Sequence, residues 1–166
     1  MQRVSALVAL GSNLGDRSGH LLGAVTALAR RPKVRLAGLS LVYETEPVGP
    51  PGQGPYLNAV AALETECGPQ ELLATLLAIE RAHGRVRRER WGPRTLDLDL
   101  LDFGGRVLER PGLALPHPRL HERPFVLVPL ADVAPDWRHP LLDRTAAELL
   151  AELDAGGVRP WHPASG

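Results

Sequence analysis

The sequence contains few lysine, cysteine and aromatic residues, and each shortage argues against a class of protein. Lys33 is the only lysine among 19 basic residues, so a phosphate-binding loop of the GxxxxGK[ST] kind cannot be built, and arginine must bind any nucleotide phosphate. Cys67 is the only cysteine, which excludes an internal disulfide and favours a reducing compartment. Aromatic residues make up 4% of the chain, few for a protein that stacks on single-stranded nucleic acid.

The charge balance and the apolar runs argue against two further classes. The 19 basic and 19 acidic residues give a formal net charge of zero, unlike a protein that coats nucleic acid or an anionic membrane. The apolar run VSALVAL, which starts at Val4, is too short to span a bilayer and lacks the pattern of a signal peptide. We therefore expect a cytoplasmic protein without nucleic-acid or membrane partners. Its 166 residues are most simply one domain, 1–166.

Apolar periodicity predicts four strands and two helices in the order β-α-β-β-α-β. Strands are expected at 4–10, 34–43, 56–64 and 96–100, and helices in LLGAVTALA and from Pro69 to the residue before Gly84. The proline-rich segment PVGPPGQGP separates the second strand from the third. This order is typical of a ferredoxin-like core, in which two helices pack on one face of a mainly antiparallel sheet. The predicted fold class is therefore α+β, an α/β sandwich.

The C-terminal part is expected to add a strand and a helix to this core. The apolar run in RPFVLVPL predicts the strand, and the segment from Arg144 to Leu153 predicts a closing helix. The last residues, from about 158 to 166, have the composition of a frayed tail.

Two carboxylates at alternate positions of the fourth strand are candidate metal ligands. In TLDLDLL, Asp97 and Asp99 point to one face, with Cα atoms about 6.6 Å apart, while the leucines anchor the other face in the core. Aspartate is a poor strand former, so two at successive outward positions need a reason. Converging carboxylates can bind hard cations such as magnesium. The alternative is a solvated face on which the aspartates pair with nearby arginines.

The segment GRVRRERWGPR, directly before this strand, concentrates positive charge. It contains Arg85, Arg87, Arg88, Arg90 and Arg94. Neighbouring arginines repel each other by about 1 kcal/mol per close pair in water, and a polyanion would relieve that repulsion. The tryptophan of the same segment offers a flat face to a nucleobase. The alternative is an exposed charged loop without a ligand.

Two further places carry weaker signals. Glu80 falls on the apolar stripe of the second helix, so its carboxylate is expected on the buried side, where a salt bridge to Arg85 or Arg87 is the alternative to a functional role. Tyr56 and Asn58 share one face of the third strand, close to YETEPVGP. An aromatic ring beside an amide suits a planar, hydrogen-bonding heterocycle, although most strand tyrosines only pack.

Taken together, these segments resemble the 6-hydroxymethyl-7,8-dihydropterin pyrophosphokinase family. The resemblance runs in order through nearly the whole chain: ALGSNLGD, YETEPVGP, YLNAVAALET, IERAHGRVR, RWGPRTLDLDLL and LPHPRLHERPFVLVPL. Of these, RWGPRTLDLDLL is the signature of the family and is highly specific. The resemblance implies transfer of pyrophosphate from ATP to 6-hydroxymethyl-7,8-dihydropterin in folate biosynthesis, with two magnesium ions. A monomer is the default expectation.

The resemblance also implies a role for each candidate residue. Asp97 and Asp99 would ligate both metal ions. Arg85 and Arg94 would stabilise charge on the transferred group. A second set would bind the phosphates or the nucleotide: Glu80, Arg87, Arg90, Trp91, His117 and Arg123. A third set would bind the pterin. Its ring would be sandwiched between Tyr56 and Phe125, and its edge would be contacted by the following residues: Thr45, Asn58, Pro47 and Val48.

The chain departs from the family pattern at two places. The segment RVRRERWGPR is one residue shorter than in the best-known members, which leaves open whether Arg87 or Arg88 contacts phosphate. Pro118 follows His117 where some members have tyrosine, so an aromatic contact to ATP is lost there. The residues alone leave two other functions open: a nucleotide or single-stranded nucleic-acid binding module without catalysis, and an inert scaffold held by salt bridges.

Overall fold

The computed structural model describes residues 2–46, 54–84 and 95–163. Within these ranges the strands are β1 (Val4–Ser12), β2 (Val34–Leu39), β3 (Tyr43–Thr45), β4 (Tyr56–Thr65), β5 (Asp97–Phe103), β6 (Leu108–Arg110), β7 (Leu113–Leu115) and β8 (Val158–Pro160). The helices are α1 (Arg17–Ala29), α2 (Pro69–Ala82), α3 (Pro124–Val133) and α4 (Ala146–Ala151), with a 3-10 turn at Leu120–Glu122. None of the helices in the described ranges is long and apolar enough to cross a membrane.

The main sheet has the strand order β5-β1-β4-β3-β8, and β2 pairs with β4 along the same edge as β3. The strand pairs of this sheet are antiparallel. Because β4 lies between β1 and β2, which α1 connects, the core has the split β-α-β arrangement of ferredoxin-like folds. The α+β class and the ferredoxin-like order predicted from the sequence are confirmed. Strands β6 and β7 form a separate hairpin.

Each face of the main sheet has its own apolar core, and β4 contributes to both. Leu57, Ala61 and Leu63 pack on the face covered by α1 and α2. Val60 packs on the opposite face, together with residues of α3 such as Leu127. Helices therefore cover both faces, which explains why the sequence of β4 is almost continuously apolar.

The run PFVLVPL is helix α3, so the prediction of a strand is wrong. Pro124 opens the helix at its first turn, where the missing N–H would have no intrahelical partner. The helix packs against the sheet with the buried side chains of Val126, Leu127 and Leu130. A short, continuously apolar run is compatible with a buried strand and with a buried helix, so periodicity alone could not decide between the two structures.

The single strand predicted over 34–43 is two strands. Strand β2 ends at Leu39 and β3 begins at Tyr43. Between them, Ser40 donates its N–H to the carbonyl of Val60 at 2.9 Å, and its Oγ accepts the N–H of Val60 at 2.8 Å. The serine side chain thus replaces a backbone partner and interrupts the regular ladder.

Residues 158–161, in the predicted C-terminal tail, are more ordered than the sequence predicts. Residues 158–160 are predicted to fray but form β8, which pairs antiparallel with β3. Trp161 packs against the core and donates its N–H to the carbonyl of Val42 at 2.9 Å. The closing helix is α4, within the predicted range, and Thr145 caps it in a capping box with Glu148.

Candidate active site

Asp97 and Asp99 point to the same face of β5, as predicted. They alternate with Leu98 and Leu100, which are buried in the core on the α1 and α2 face, so both carboxylates lie on the face where α3 packs. Both side chains are half-buried. Two carboxylates on one strand fit magnesium, which proteins usually bind through one or two carboxylates together with water and substrate phosphates.

Glu80 is buried near the end of α2, as predicted, and its carboxylate contacts β5. Only 2% of the residue is exposed. Its Oε2 accepts a hydrogen bond from the backbone N–H of Leu98 at 2.7 Å, and Leu98 lies between Asp97 and Asp99. Hydrogen bonds to a charged acceptor are among the strong ones. Glu80 therefore holds β5 at the point from which the two aspartates project.

His117 is a neutral hydrogen-bond donor near Asp97. Its Nδ1 accepts the backbone N–H of Arg119 at 3.2 Å, which assigns the ring proton to Nε2. Burial, and then the charge of Arg123, lower the pKa of His117 to about 4, although nearby Asp97 opposes the shift. At neutral pH the imidazole is therefore uncharged, and its Nε2–H can donate to an anionic ligand.

Thr45, Tyr56 and Asn58 lie on the same face of the sheet as the two aspartates. In the antiparallel register, Thr45 is opposite Tyr56, and Asn58 is opposite Tyr43. The Nδ2 of Asn58 donates to the Oγ1 of Thr45 at 2.8 Å, and both residues are buried. This bond between neighbouring strands fixes the orientation of the amide.

Gly11 lies between the aspartates and Asn58, and sequence reasoning did not single it out. It is opposite Asp97 in β5 and opposite Asn58 in β4, so the three residues form a row across neighbouring strands. A Cβ at Gly11 would lie 3.4 Å from Asn58 Oδ1 and 3.6 Å from Tyr56 Cδ1. Gly11 is itself buried, so a side chain at this position would press against Asn58 and Tyr56. A glycine inside a strand is the signal that could have found it.

The start of α3 brings Arg123, its N-cap residue, and Phe125 to this face. Phe125 packs against the apolar cluster between the sheet and α3. The guanidinium carbon of Arg123 lies 5.6 Å from the centroid of the Phe125 ring, within the range of a cation-π contact. The fold thus brings both residues to the face that also bears the candidate residues of β4 and β5.

A cavity of about 390 Å³ opens beside the edge strand β5. Its lining includes Asp99 of β5, Leu73 of α2, His117, and residues of the β6–β7 hairpin such as Arg110 and Leu113. This volume lies in the range of small-molecule sites. Sequence reasoning did not single out the hairpin residues, because nothing in these short segments indicates that they line a cavity.

Several predicted site residues lie outside the described residues: Arg85, Arg87, Arg88, Arg90, Trp91, Arg94, Pro47 and Val48. In the chain, the arginine segment follows Gly84 and precedes Thr95, so Glu80 and Asp97 flank it in sequence. The roles of these residues stay predictions.

Comparison with protein-family models and curated proteins gives consistent matches. The model of the family "7,8-dihydro-6-hydroxymethylpterin-pyrophosphokinase (HPPK)" matches residues 7–135. Three similar bacterial proteins are each named 2-amino-4-hydroxy-6-hydroxymethyldihydropteridine pyrophosphokinase. The protein of Pseudomonas aeruginosa is 48% identical over 158 residues, 95% of this chain and 96% of its own length. The protein of Synechocystis is 46% identical over 158 residues (95% and 80%), and that of Bacillus subtilis 43% over 161 residues (97% and 92%).

Solved structures show a similar fold. A crystal structure of an HPPK-DHPS in complex with substrates matches with a TM-score of 0.72 at 12% identity, over 92% of this chain and 43% of that one. The Plasmodium falciparum HPPK-DHPS with pteroate matches with a TM-score of 0.72 at 13% identity, over 91% and 44%. This chain thus spans less than half of those longer chains, and at such identities the likeness shows the fold alone. The family-model match and the 48% identical relative show more: the chain belongs to the 7,8-dihydro-6-hydroxymethylpterin-pyrophosphokinase family.

Proposed function

We propose that this chain, as a member of the family, transfers pyrophosphate from ATP to the hydroxymethyl group of 6-hydroxymethyl-7,8-dihydropterin in folate biosynthesis. The observation that carries the proposal is the row of Asp97, Gly11 and Asn58 across three neighbouring strands. Because neighbouring strands are about 4.8 Å apart, the two outer residues of the row are separated by about 10 Å. A triphosphate held at the aspartates and a pterin held at Asn58 would meet above the glycine, where no side chain intervenes.

Asp97 and Asp99 are the proposed ligands of two magnesium ions. Bound magnesium would neutralise phosphate oxygens of ATP, which is a main requirement of phosphoryl-type transfer. The chain contributes two carboxylates on a strand whose other face is anchored in the core by Leu98 and Leu100. Glu80 adds a hydrogen bond to the same strand, so the carboxylates have little freedom to move apart.

The cavity beside β5 is the proposed site of the nucleoside. Asp99 and His117 both line it, so a nucleoside placed there would direct its phosphates towards the aspartates. His117 would donate its Nε2–H to a phosphate oxygen, and Arg123 would add positive charge nearby. The family resemblance supports further contacts to ATP by Arg87, Arg90 and Trp91, and stabilisation of the transferred group by Arg85 and Arg94.

The pterin is proposed to lie on the β3–β4 side of Gly11. Its ring would be sandwiched between Tyr56 and Phe125, which both lie on this face of the sheet. The buried, hydrogen-bonded pair of Thr45 and Asn58 suits the polar edge of the heterocycle. The resemblance adds backbone contacts near that edge from the following positions: Pro47 and Val48.

The proposed reaction needs positioning rather than a protein nucleophile. The hydroxyl oxygen of the pterin attacks the β-phosphorus of ATP and releases its proton to solvent, the bond from that phosphorus to the α,β-bridging oxygen breaks, and AMP leaves with the bridging oxygen. In-line placement and neutralised charge supply most of the acceleration in such transfers. Cys67, the one cysteine, is buried in the core on the α1 and α2 face, away from the site face.

One coupled assay tests the proposal. AMP release from ATP is expected only when both magnesium and 6-hydroxymethyl-7,8-dihydropterin are present. AMP release that does not depend on the pterin would contradict the assigned acceptor. Oligonucleotide binding that weakens steeply with salt, without ATP turnover, would instead favour a nucleic-acid binding module. We also propose that the protein is cytoplasmic and monomeric. A monomer is proposed because one chain carries all the proposed site residues, and light scattering tests the oligomeric state.

Gly11→Ala is expected to raise the KM for the pterin by about tenfold, the equivalent of roughly 1.4 kcal/mol. The added methyl group would press against the side chains of Asn58 and Tyr56 and shift the proposed pterin contacts, whereas the KM for ATP should not change. Gly38→Ala is a matched control in β2, because its Cβ would meet only Ala62 Cβ, at 3.8 Å. Gly11→Val should have a larger effect than alanine, and an unchanged pterin KM in that variant would disprove the placement.

A further inference from the structure

Arg17 joins the two chain segments that carry Thr45 and Tyr56. It is the first residue of α1, and its Nη1 donates to Glu44 Oε2 and to the carbonyl oxygen of Pro55, both at 2.9 Å. Glu44 directly precedes Thr45, and Pro55 directly precedes Tyr56. Since Thr45 and Tyr56 form the last pair of the β3–β4 ladder, the guanidinium ties the two strands together at the point where their backbone pairing ends.

The position of Arg17 is not explained by the helix that it begins. A cation in the first turn is disfavoured by the helix dipole by about 0.3–1 kcal/mol, and the first turn of α1 contains no acidic residue. Asp16 caps the helix by accepting the N–H of Gly19 at 3.1 Å. The contacts of Arg17 reach residues 27 and 38 positions away in the chain. Its charge therefore serves the sheet rather than α1.

Arg17 acts from the face of the sheet opposite the proposed pterin site. Side chains of β3 alternate, so Glu44 points towards α1 while Thr45 points to the other face, where it accepts the hydrogen bond of Asn58. The side chains of Arg17 and Glu44 are 26% and 24% exposed, so water and salt screen this pair less than a surface pair. Arg17 can influence a ligand on the Asn58 face only through the backbones of β3 and β4.

A second arginine shares Glu44 but does not bridge the two strands in the same way. Arg159 of β8 lies 3.6 Å from Glu44 Oε1 and 3.4 Å from Glu46 Oε1. Both carboxylates belong to β3 or to the residue that follows it. The side chain of Arg159 is 56% exposed, so water and salt screen its ion pairs and make them weaker. It is a natural comparison for Arg17.

We propose that Arg17 is a positioning residue for the pterin. By holding Glu44 and Pro55 together it fixes the spacing of Thr45 and Tyr56, and with it the geometry of the face that receives the ring. The inference rests on the proposed function of Thr45 and Tyr56. Small misplacements of binding groups are enough to weaken a site of this kind. Asp97 and Asp99 belong to β5, which β1 separates from β4. Loss of the Arg17 contacts is therefore not expected to change ATP binding.

Arg17→Met tests this inference because it keeps the length of the side chain and removes the donors. We expect the KM for the pterin to rise by about tenfold, with kcat and the KM for ATP unchanged. Arg17→Lys should restore most of the affinity, since one nitrogen makes both bonds in the native protein and an ammonium group also offers several donors. Glu44→Gln weakens only one of the two bonds and should give a smaller rise, again for the pterin alone.

Two matched arginine variants serve as controls. Arg35→Met removes an arginine–glutamate pair between β2 and β4, with Glu64 at 3.3 Å, and Arg159→Met removes the second arginine at Glu44. Neither should change the pterin KM. An unchanged pterin KM in both Arg17→Met and Glu44→Gln, an equal rise in both KM values, or an equal effect of Arg159→Met would overturn the inference. Pterin-dependent AMP release by the unmodified protein tests the proposed function separately.

Discussion

Asp97→Asn is expected to abolish pyrophosphate transfer while the protein stays folded. Asparagine keeps the size of the side chain but replaces the carboxylate with a neutral amide, and hard divalent ions are bound chiefly by charged oxygens. Because electrostatic stabilisation is usually the largest contribution to such catalysis, we expect kcat to fall by roughly 10³-fold or more. Asp99→Asn should behave in the same way. Pterin binding depends on β3 and β4 and should persist.

Asp102→Asn is the matched control on the same strand. Asp102 is 3% exposed, burial raises its pKa, and its Oδ2 accepts the N–H of Gly105 at 3.1 Å. An amide oxygen can accept the same bond, so this variant should keep transfer activity. Single-turnover AMP release at increasing magnesium measures the transfer rate, and urea unfolding in parallel measures the stability of the fold. A full rate in Asp97→Asn or Asp99→Asn at ordinary magnesium would refute the metal assignment.

The fold was predictable where the local pattern and the final environment agree. Strands β1, β4 and β5 and helices α1 and α2 have clear periodicity, and their order leaves the ferredoxin-like arrangement as the simplest solution. Helix α3 and strand β8 were not predictable for opposite reasons. The apolar run of α3 is compatible with either structure once it is buried, whereas β8 has no pattern of its own and forms because β3 offers a partner.

The site was predictable only as a set of residue types, not as a set of contacts. The spacing of Asp97 and Asp99 is visible in the sequence because a strand has a fixed period. The bond from Glu80 to Leu98, the row through Gly11, and the bridge from Arg17 all join residues of different elements. Tertiary packing decides such pairs, and a single sequence contains no local signal for them.

Glu80→Ala is expected to weaken both the fold and catalysis. The change removes the acceptor of the Leu98 N–H, and losing a hydrogen bond to a charged group costs about 1.5–3 kcal/mol of unfolding free energy. Groups that orient metal ligands typically contribute about 10–100-fold to metal affinity or activity. Since Asp97 and Asp99 flank Leu98, we expect the loss to appear as a higher magnesium requirement. Glu71→Ala, on the exposed side of the same helix, should leave the magnesium requirement and catalysis unchanged and cost at most about 1 kcal/mol of unfolding free energy.

Glu80→Gln distinguishes positioning of the strand from direct contact with the nucleotide. Glutamine keeps an oxygen that can accept the Leu98 N–H at the same reach, so stability and the magnesium requirement should return close to those of the unmodified protein if Glu80 acts by holding β5. If the Glu80 carboxylate instead contacts the nucleotide, the Glu80→Gln variant should lose as much activity as Glu80→Ala and should have a higher KM for ATP. Urea unfolding and magnesium titrations of both variants decide between the two. A glutamine variant with native stability and a tenfold higher KM for ATP would reject positioning as the main role.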